Sequence, residues 1–396
     1  MRYRRFGRTN LQMPVISCGG MRYQFKWQDV DPKDIPAENQ ANLEATIHRA
    51  FELGINHIET ARGYGTSEEQ LGRVLPQLPR EKLILQTKVG PETEPRKFLE
   101  NFERSMSLLK ADYLDLFALH GINNEERLAW SVRKGGCLEA ALRLKKQGRV
   151  RFVGFSSHAG NKVLLPAIND GRFDFVNLHW YYVNPFNWPA VVAATKQDMG
   201  VFVISPNDKG GKLYQPAPKL VKLCAPLSPM VFNNLWCLAR LEAHTLSIGA
   251  ARPTDYDEHI KTLEYLAPGA DPHAVLKAIE ARLHDELVRT LGREWVENWH
   301  VGLPEWEDTP GQVNIFEILR LRNFAKAFDM IEFGRMRYNL LGNGDHWFPG
   351  YKAGKLEGLD FSKALKASPF AAQIPAALAE AHQLLSGEEV KRLGSH

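Results

Sequence analysis

The sequence predicts a (β/α)8 barrel with an N-terminal β-hairpin and a helical C-terminal extension. Three observations carry this. Eight short apolar runs rich in β-branched residues recur between Val15 and Ala250. Amphipathic stretches separate them. After about Pro268 only helical periodicity continues. Near-continuous apolar runs are what strands buried on both faces require, and eight strand–helix units over Val15–Leu266 suit such a barrel. A doubly wound sheet is the rival, but VISCGGMRY lacks the G-x-G-x-x-G phosphate turn that its first strand would carry.

The elements follow in order. RYRRFGRTNL (2–11) alternates and contains a G-R-T turn, which predicts the hairpin. VISCGG (15–20) is the first barrel strand, and the polar, Pro-containing stretch Gln24–Asn39 is a long loop after it. The remaining strands are HIET (57–60), LILQTKV (83–89), YLDLFALHG (113–121), VRFVGFSS (150–157), FDFVNLHW (173–180), VFVISPN (201–207) and TLSIGA (245–250). Among the helices, ANLEATIHRAFELG puts Leu43, Ile47, Ala50, Phe51 and Leu53 on one broad face and stops at Gly54. SEEQLGRVLPQL opens with Ser67 as its expected N-cap and two acids in the first turn. The extension holds HAVLKAIEARLHDELVRTLG, NIFEILRLRNFAKAFDMIEFGRMRYNLL and IPAALAEAHQLL. The expected domains are therefore 1–268 and 269–396.

Composition narrows the function classes. Lys plus Arg is 50 against 46 acids, a net charge of +4, with basic runs no longer than pairs such as Arg4-Arg5. That is too diffuse for a nucleic-acid partner. No apolar run reaches a membrane span, and MRYRRFGRTNLQMPV has no signal-peptide core, so a cytoplasmic protein is expected. Cys18, Cys137, Cys224 and Cys237 are dispersed, which argues for a reducing compartment and against a clustered zinc or iron–sulfur site. No metal is expected, and oligomeric state is not legible.

Reactive groups in this fold sit at the C-terminal ends of strands. Strand two ends in Glu59 and Thr60, followed by Arg62-Gly63-Tyr64-Gly65; strand three ends in Lys88 and strand four in His120. Together these suit carbonyl reduction. A tyrosine can give a proton to a developing alkoxide, but its ordinary pKa of about 10 is high for the task. A neighbouring lysine cation favours the phenolate, a carboxylate keeps that lysine charged, and a histidine orients the carbonyl oxygen. Singly, each residue reads more plainly as structure: an ion pair, a packed aromatic, a strand-end histidine. Four at consecutive strand ends reverse that balance.

IETARGYGTSEEQLG, LQTKVG and ALHG, with GFSSH, SPNDKGG and FGRTNLQMPVISCGGM, resemble the aldo-keto reductase superfamily over roughly residues 1–266. The resemblance implies Tyr64 as general acid/base, Lys88 as its modulator, His120 as the carbonyl-orienting residue and Glu59 as the acidic member, where the family normally has aspartate. It implies a nicotinamide dinucleotide, NADP with NAD as the alternative, and a small aldehyde or ketone substrate. Ser156, Ser157 and Asn177 would hold the carboxamide. Ser205, Lys209, Gly210 and Gly211 would approach the pyrophosphate. Arg252, Asp255 and His259 fall at the adenosine end, and Met21 and Arg22 complete the set. The extension resembles a ferredoxin-like appendage of one branch, here without its cluster cysteines, so no iron–sulfur cluster is expected; His346, Trp347 and Phe348 read as an anchor or lid. A dinucleotide-binding sensor or partner module with little catalysis is the alternative, and a Schiff-base aldolase using Lys88 a more distant one.

Overall fold

The computed structural model describes residues 1–343, 348–388 and 390. They divide into two compact units. The first contains Met1–Pro206 and Asn233–Ala270; the second contains Asn207–Phe232 and Asp271–Arg392. His346 and Trp347 lie outside the described residues.

In the first unit, β1 (Tyr3–Arg5) and β2 (Gln12–Pro14) form the expected antiparallel hairpin, with Arg4 opposite Met13. Eight parallel strands follow: β3 (Ile16–Gly19), β4 (His57–Glu59), β5 (Ile84–Val89), β6 (Leu114–Leu119), β7 (Val150–Ser156), β8 (Phe175–Leu178), β9 (Gly200–Val203) and β10 (Thr245–Ile248). They run in chain order around a closed barrel, β10 pairing with β3 to seal it. This is the predicted (β/α)8 architecture. Seven of these strands lie within the predicted runs and β9 begins one residue before its run, at Gly200; the apolar stretch supplies two buried faces and the polar residues after it turn the chain.

The hairpin lies at the N-terminal end of the barrel. Phe6 and Met13 are fully buried in a cluster with Ile84, Leu116, Ala118, Phe175, Phe202 and Ile204. Phe6 packs against Phe175 at 5.9 Å and edge-on to His244 at 5.6 Å. A Cβ at Gly200 would stand 2.6 Å from the Phe6 ring, so the ring occupies space that only a glycine leaves free. Arg5 makes a two-point pair with Asp198 (3.0 and 2.5 Å), and Arg4 donates to the Ala243 carbonyl at 2.5 Å.

Across the other half of the barrel interior runs a polar row. Thr245 Oγ1 meets Ser17 Oγ at 2.7 Å, Ser17 Oγ meets His57 Nδ1 at 2.7 Å, and His57 Nε2 meets Gln86 Oε1 at 3.0 Å. Two residues further along the same four strands stand Ser247, Gly19, Glu59 and Lys88. That step of two is the inward-facing period of a strand.

Two local expectations change. Ser67 is the first residue of the helix Ser67–Val74, not its cap; its hydroxyl bonds Thr60 Oγ1 at 2.8 Å instead. Between β9 and β10, where a helical stretch was expected but none was located, the chain forms helices Pro218–Cys224 and Pro229–Leu238.

The second unit is helical. Its long helix Pro272–Leu291 is capped by Asp271, whose carboxylate accepts from His273 N at 3.0 Å. NIFEILRLRNFAKAFDMIEFGRMRYNLL forms two helices, Ile315–Phe328 and Ile331–Tyr338, because Asp329 adopts a left-handed conformation (φ 56°) that ends the first. Ile374–Leu385 is the last helix among the described residues. The Trp295 ring packs at a tilt against Phe370, 4.9 Å between centres, and its indole N–H donates to Asn323 Oδ1 at 3.0 Å. Phe348 is buried beneath the Arg337 guanidinium, 4.3 Å from its ring centre.

Candidate active site

The ends of β4, β5 and β6 bring four predicted residues together. Glu59 and Lys88 are buried and form an ion pair through Glu59 Oε1. Lys88 Nζ also donates to the Thr60 carbonyl at 2.8 Å. The second carboxylate oxygen, Glu59 Oε2, accepts from Ser247 Oγ at 3.3 Å. Lys88 Nζ stands 4.7 Å from the centre of the Tyr64 ring, and His120 meets that ring edge-on at 5.6 Å.

Local structure aims Tyr64. The turn after β4 is pinned by Arg62 N to the Lys88 carbonyl (2.9 Å) and Tyr64 N to the Ala61 carbonyl (2.9 Å). Arg62 bridges Asp29 and the buried Glu68, and Thr87 donates to Glu68 at 2.6 Å. The loop before the first helix is thereby tied to the strand that carries Lys88. Trp27 from that loop lies edge-on to Tyr64 at 6.3 Å.

Electrostatics follow from burial. Burial pushes the Tyr64 phenol above its ordinary value, opposed by the Arg22 guanidinium. The Lys88 ammonium is pushed well below the ordinary lysine value by burial; the Glu59 carboxylate pulls against that. His57, one row beneath, is pushed down to about 3 by burial, with the Lys88 charge acting the same way and the Gln86 hydrogen bond opposing.

The neighbouring strand ends place the other predicted residues. Ser156 and Asn177 are register partners on β7 and β8. Ser156 Oγ accepts from Gly121 N at 3.0 Å. Asn177 is fully buried, and neither its Oδ1 nor its Nδ2 has a hydrogen-bond partner. A buried primary amide with four unmet hydrogen-bonding positions fits a ligand that presents a complementary amide. Ser157 is turned inward: its hydroxyl donates to the Ile122 carbonyl at 2.6 Å and accepts from Ala159 N at 3.1 Å. Met21 is part-exposed; Arg22 is buried, and a Cβ at Gly249 would stand 2.9 Å from Arg22 Cγ.

At the far end, Asp255 accepts from Ala251 N (2.8 Å) and Arg252 N (3.3 Å), and its other oxygen lies 3.5 Å from Arg252 Nε. His259 is buried, meets Asn234 Nδ2 at 3.0 Å and is pushed down to about 4 by burial. Ser205 belongs to the first unit and has a left-handed backbone (φ 52°). Lys209, Gly210 and Gly211 belong to the second, where Lys209 is buried and the neighbouring Lys212 pairs with Glu332 at 2.7 Å.

Sequence reasoning missed two histidines here. His158 Nδ1 and His179 Nε2 are 2.5 Å apart with stacked rings, and Tyr181 OH reaches His179 Nδ1 at 3.2 Å. Their signal was positional: each follows the end of β7 or β8. Ser247 was also missed, since a serine inside TLSIGA looks like an ordinary strand residue.

Residues 15–187 match the Aldo/keto reductase family. The barrel carries an aldo/keto reductase domain. An uncharacterized oxidoreductase of Bacillus subtilis is 30% identical over 176 residues, which is 41% of this chain and 51% of that protein. The L-glyceraldehyde 3-phosphate reductase of Escherichia coli is 27% identical over 175 residues, 40% of this chain and 46% of its own length. The chain thus spans about half the length of the curated relatives it matches. In three dimensions an aldo-keto reductase from Klebsiella pneumoniae, solved in complex with NADPH, superposes with a TM-score of 0.56 at 17% identity, covering 71% of this chain and 94% of that one. At that identity the likeness concerns the fold.

Among the described residues no group of three or more His, Cys, Asp or Glu is placed to hold a metal ion, and no helix is long and apolar enough to cross a membrane. All four cysteines are buried and free of disulfides.

Proposed function

We propose that this aldo/keto reductase domain is an NAD(P)H-dependent oxidoreductase that reduces a small aldehyde or ketone, with Tyr64 as the proton donor. The observation that carries the proposal is the convergence of Tyr64, Lys88, His120 and Glu59 at the barrel mouth, on strands neighbouring one another. The unpartnered Asn177 amide supports dinucleotide binding, and the relative that reduces a glyceraldehyde phosphate supports a small aldehyde.

A bound nicotinamide dinucleotide supplies the hydride. The chain's own residues handle the proton and the charge. Burial keeps the Tyr64 hydroxyl protonated near neutrality, so it can donate to the carbonyl oxygen as negative charge develops there. The phenolate left behind is stabilised by the Lys88 and Arg22 cations. Glu59 holds Lys88 charged, and His120, edge-on to the Tyr64 ring, orients the carbonyl oxygen. Asn177 and Ser156 would hold the dinucleotide's carboxamide. Arg252 favours NADP over NAD by presenting planar donors to a 2′-phosphate, while its pairing with Asp255 makes that preference small.

The binding-module alternative rests on a glutamate in the family's usual aspartate place and on the degenerate extension. Against the first of these, the Glu59 carboxylate meets Lys88, which supports the reductase reading. We assign the barrel to 1–268 and read the remainder as an extension without an iron–sulfur cluster, since no cysteine follows Cys237; stoichiometric iron in purified protein contradicts this. The cytoplasm is the proposed location.

Steady-state reduction of a carbonyl panel with NADPH and NADH tests the central claim. Tyr64→Phe should cut turnover by about 100-fold or more, the scale of lost acid catalysis. Dinucleotide affinity should be unchanged, because the hydroxyl acts in the chemical step. Undiminished turnover excludes Tyr64 as the acid.

A further inference from the structure

Glu59 sits on β4 beside Gly19 of β3, its register partner. Its Oε1 meets Lys88 on β5, and its Oε2 accepts from Ser247 on β10. The carboxylate therefore links strands on both sides of its own, and to reach β10 it must pass across β3. The residue it crosses is Gly19. A Cβ there would stand 2.6 Å from Ser247 Oγ and 3.4 Å from Glu59 Oε2, so a side chain at this position would fill the crossing. Glu59, Lys88 and Ser247 are all buried. A buried carboxylate oxygen without a donor loses the stabilisation of its charged form, and a lysine paired with that carboxylate then loses its own.

We propose that Ser247 is a positioning residue that holds the carboxylate of Glu59 across Gly19 and so keeps its other oxygen on Lys88. The inference rests on the reductase reading above. It explains how a glutamate serves in this place: its extra methylene spans to β10, where Ser247 fixes the far oxygen. An aspartate is one bond shorter, retreats towards β4 and loses Ser247.

The test reads Lys88 directly, without cofactor or substrate. Protein labelled in lysine side chains is titrated by NMR, with Lys88→Arg identifying the Lys88 signal. The titratable groups facing Lys88 are Glu59 and His57 from β4 and Tyr64 from the turn that follows. Ser247→Ala should lower the Lys88 midpoint by about one pH unit, move the alkaline limb of the turnover profile down with it, and reduce turnover about tenfold. Ser247→Thr, which keeps a hydroxyl, should restore both. In the Glu59→Asp background Ser247→Ala should shift neither. A Lys88 midpoint that ignores Ser247, or shifts equally in both backgrounds, overturns the proposal even if Tyr64→Phe abolishes reduction. Conversely, a protein that reduces no carbonyl but whose Lys88 midpoint still depends on Ser247 leaves the bridge standing and overturns the reductase reading.

Discussion

His57 gives a quantitative prediction about acid stability. In an unfolded chain its imidazole takes up a proton near 6.5; in the barrel burial holds it at about 3. Between those values the unfolded state binds the extra proton, so stability falls as pH drops below about 6.5 and is unaffected above it. At about pH 5 the loss from this one residue is RT ln(1 + 10^1.5), roughly 2 kcal/mol. The figure is insensitive to the folded value, since His57 stays neutral in the barrel at that pH whether its midpoint is about 3 or about 4. His57→Gln retains an amide that can accept from Ser17 and donate to Gln86, so the polar row keeps its bonds. Urea unfolding followed by tryptophan fluorescence, at about pH 7.5 and about pH 5, should show the native protein losing about 2 kcal/mol more than the variant. His244 and His259, each pushed down to about 4 by burial, titrate in the same sense in both proteins and cancel in the comparison. Identical pH dependence in the two proteins refutes a neutral buried His57.

Asn177→Leu should weaken NADPH binding by about 10- to 100-fold, the range for lost hydrogen bonds in a buried site, while leaving stability equal or higher, because an unmet polar group is replaced by an apolar one. Unchanged affinity by fluorescence titration removes Asn177 from the cofactor site. NADPH should bind more tightly than NADH; Arg252→Ala should erase the difference and Asp255→Asn should widen it several-fold by freeing the Arg252 guanidinium. Equal affinities in all three proteins refute that assignment. Glu59→Gln should lower turnover and Glu59→Asp should change it with folding retained, both read by single-turnover hydride transfer; equal rates across Glu, Asp and Gln place residue 59 outside the catalytic set.

The barrel was legible because its strands are buried on both faces, so HIET or LILQTKV announces itself in one short window. The cluster of Glu59, Tyr64, Lys88 and His120 was legible for a related reason: strand ends in this fold share one mouth, so sequence order translates into proximity. What escaped depends on contacts between distant strands. Ser247 becomes informative only beside Gly19 and Glu59, and no local pattern puts residues 19, 59 and 247 together. Helices Pro218–Cys224 and Pro229–Leu238 were not located, being short and each opening on a proline, which occupies a first helical position where it is tolerated. The break at Asp329 was invisible for the opposite reason, because apolar periodicity runs on through a residue whose backbone alone changes hand.

The seating of Phe6 has a consequence in time. Arg5 and its partner Asp198 are 193 residues apart in the chain, and Gly200 and His244, against which Phe6 packs, come later still. At about 5–20 residues per second a ribosome takes on the order of 10–40 s to deliver that separation. Throughout that interval Phe6 and Met13 have no site to enter, since the cluster that receives them needs β8 and β9. The hairpin is therefore a latch that closes on finished work. A growing chain of this kind keeps two of its most deeply buried side chains available to chaperones until the ninth strand has emerged.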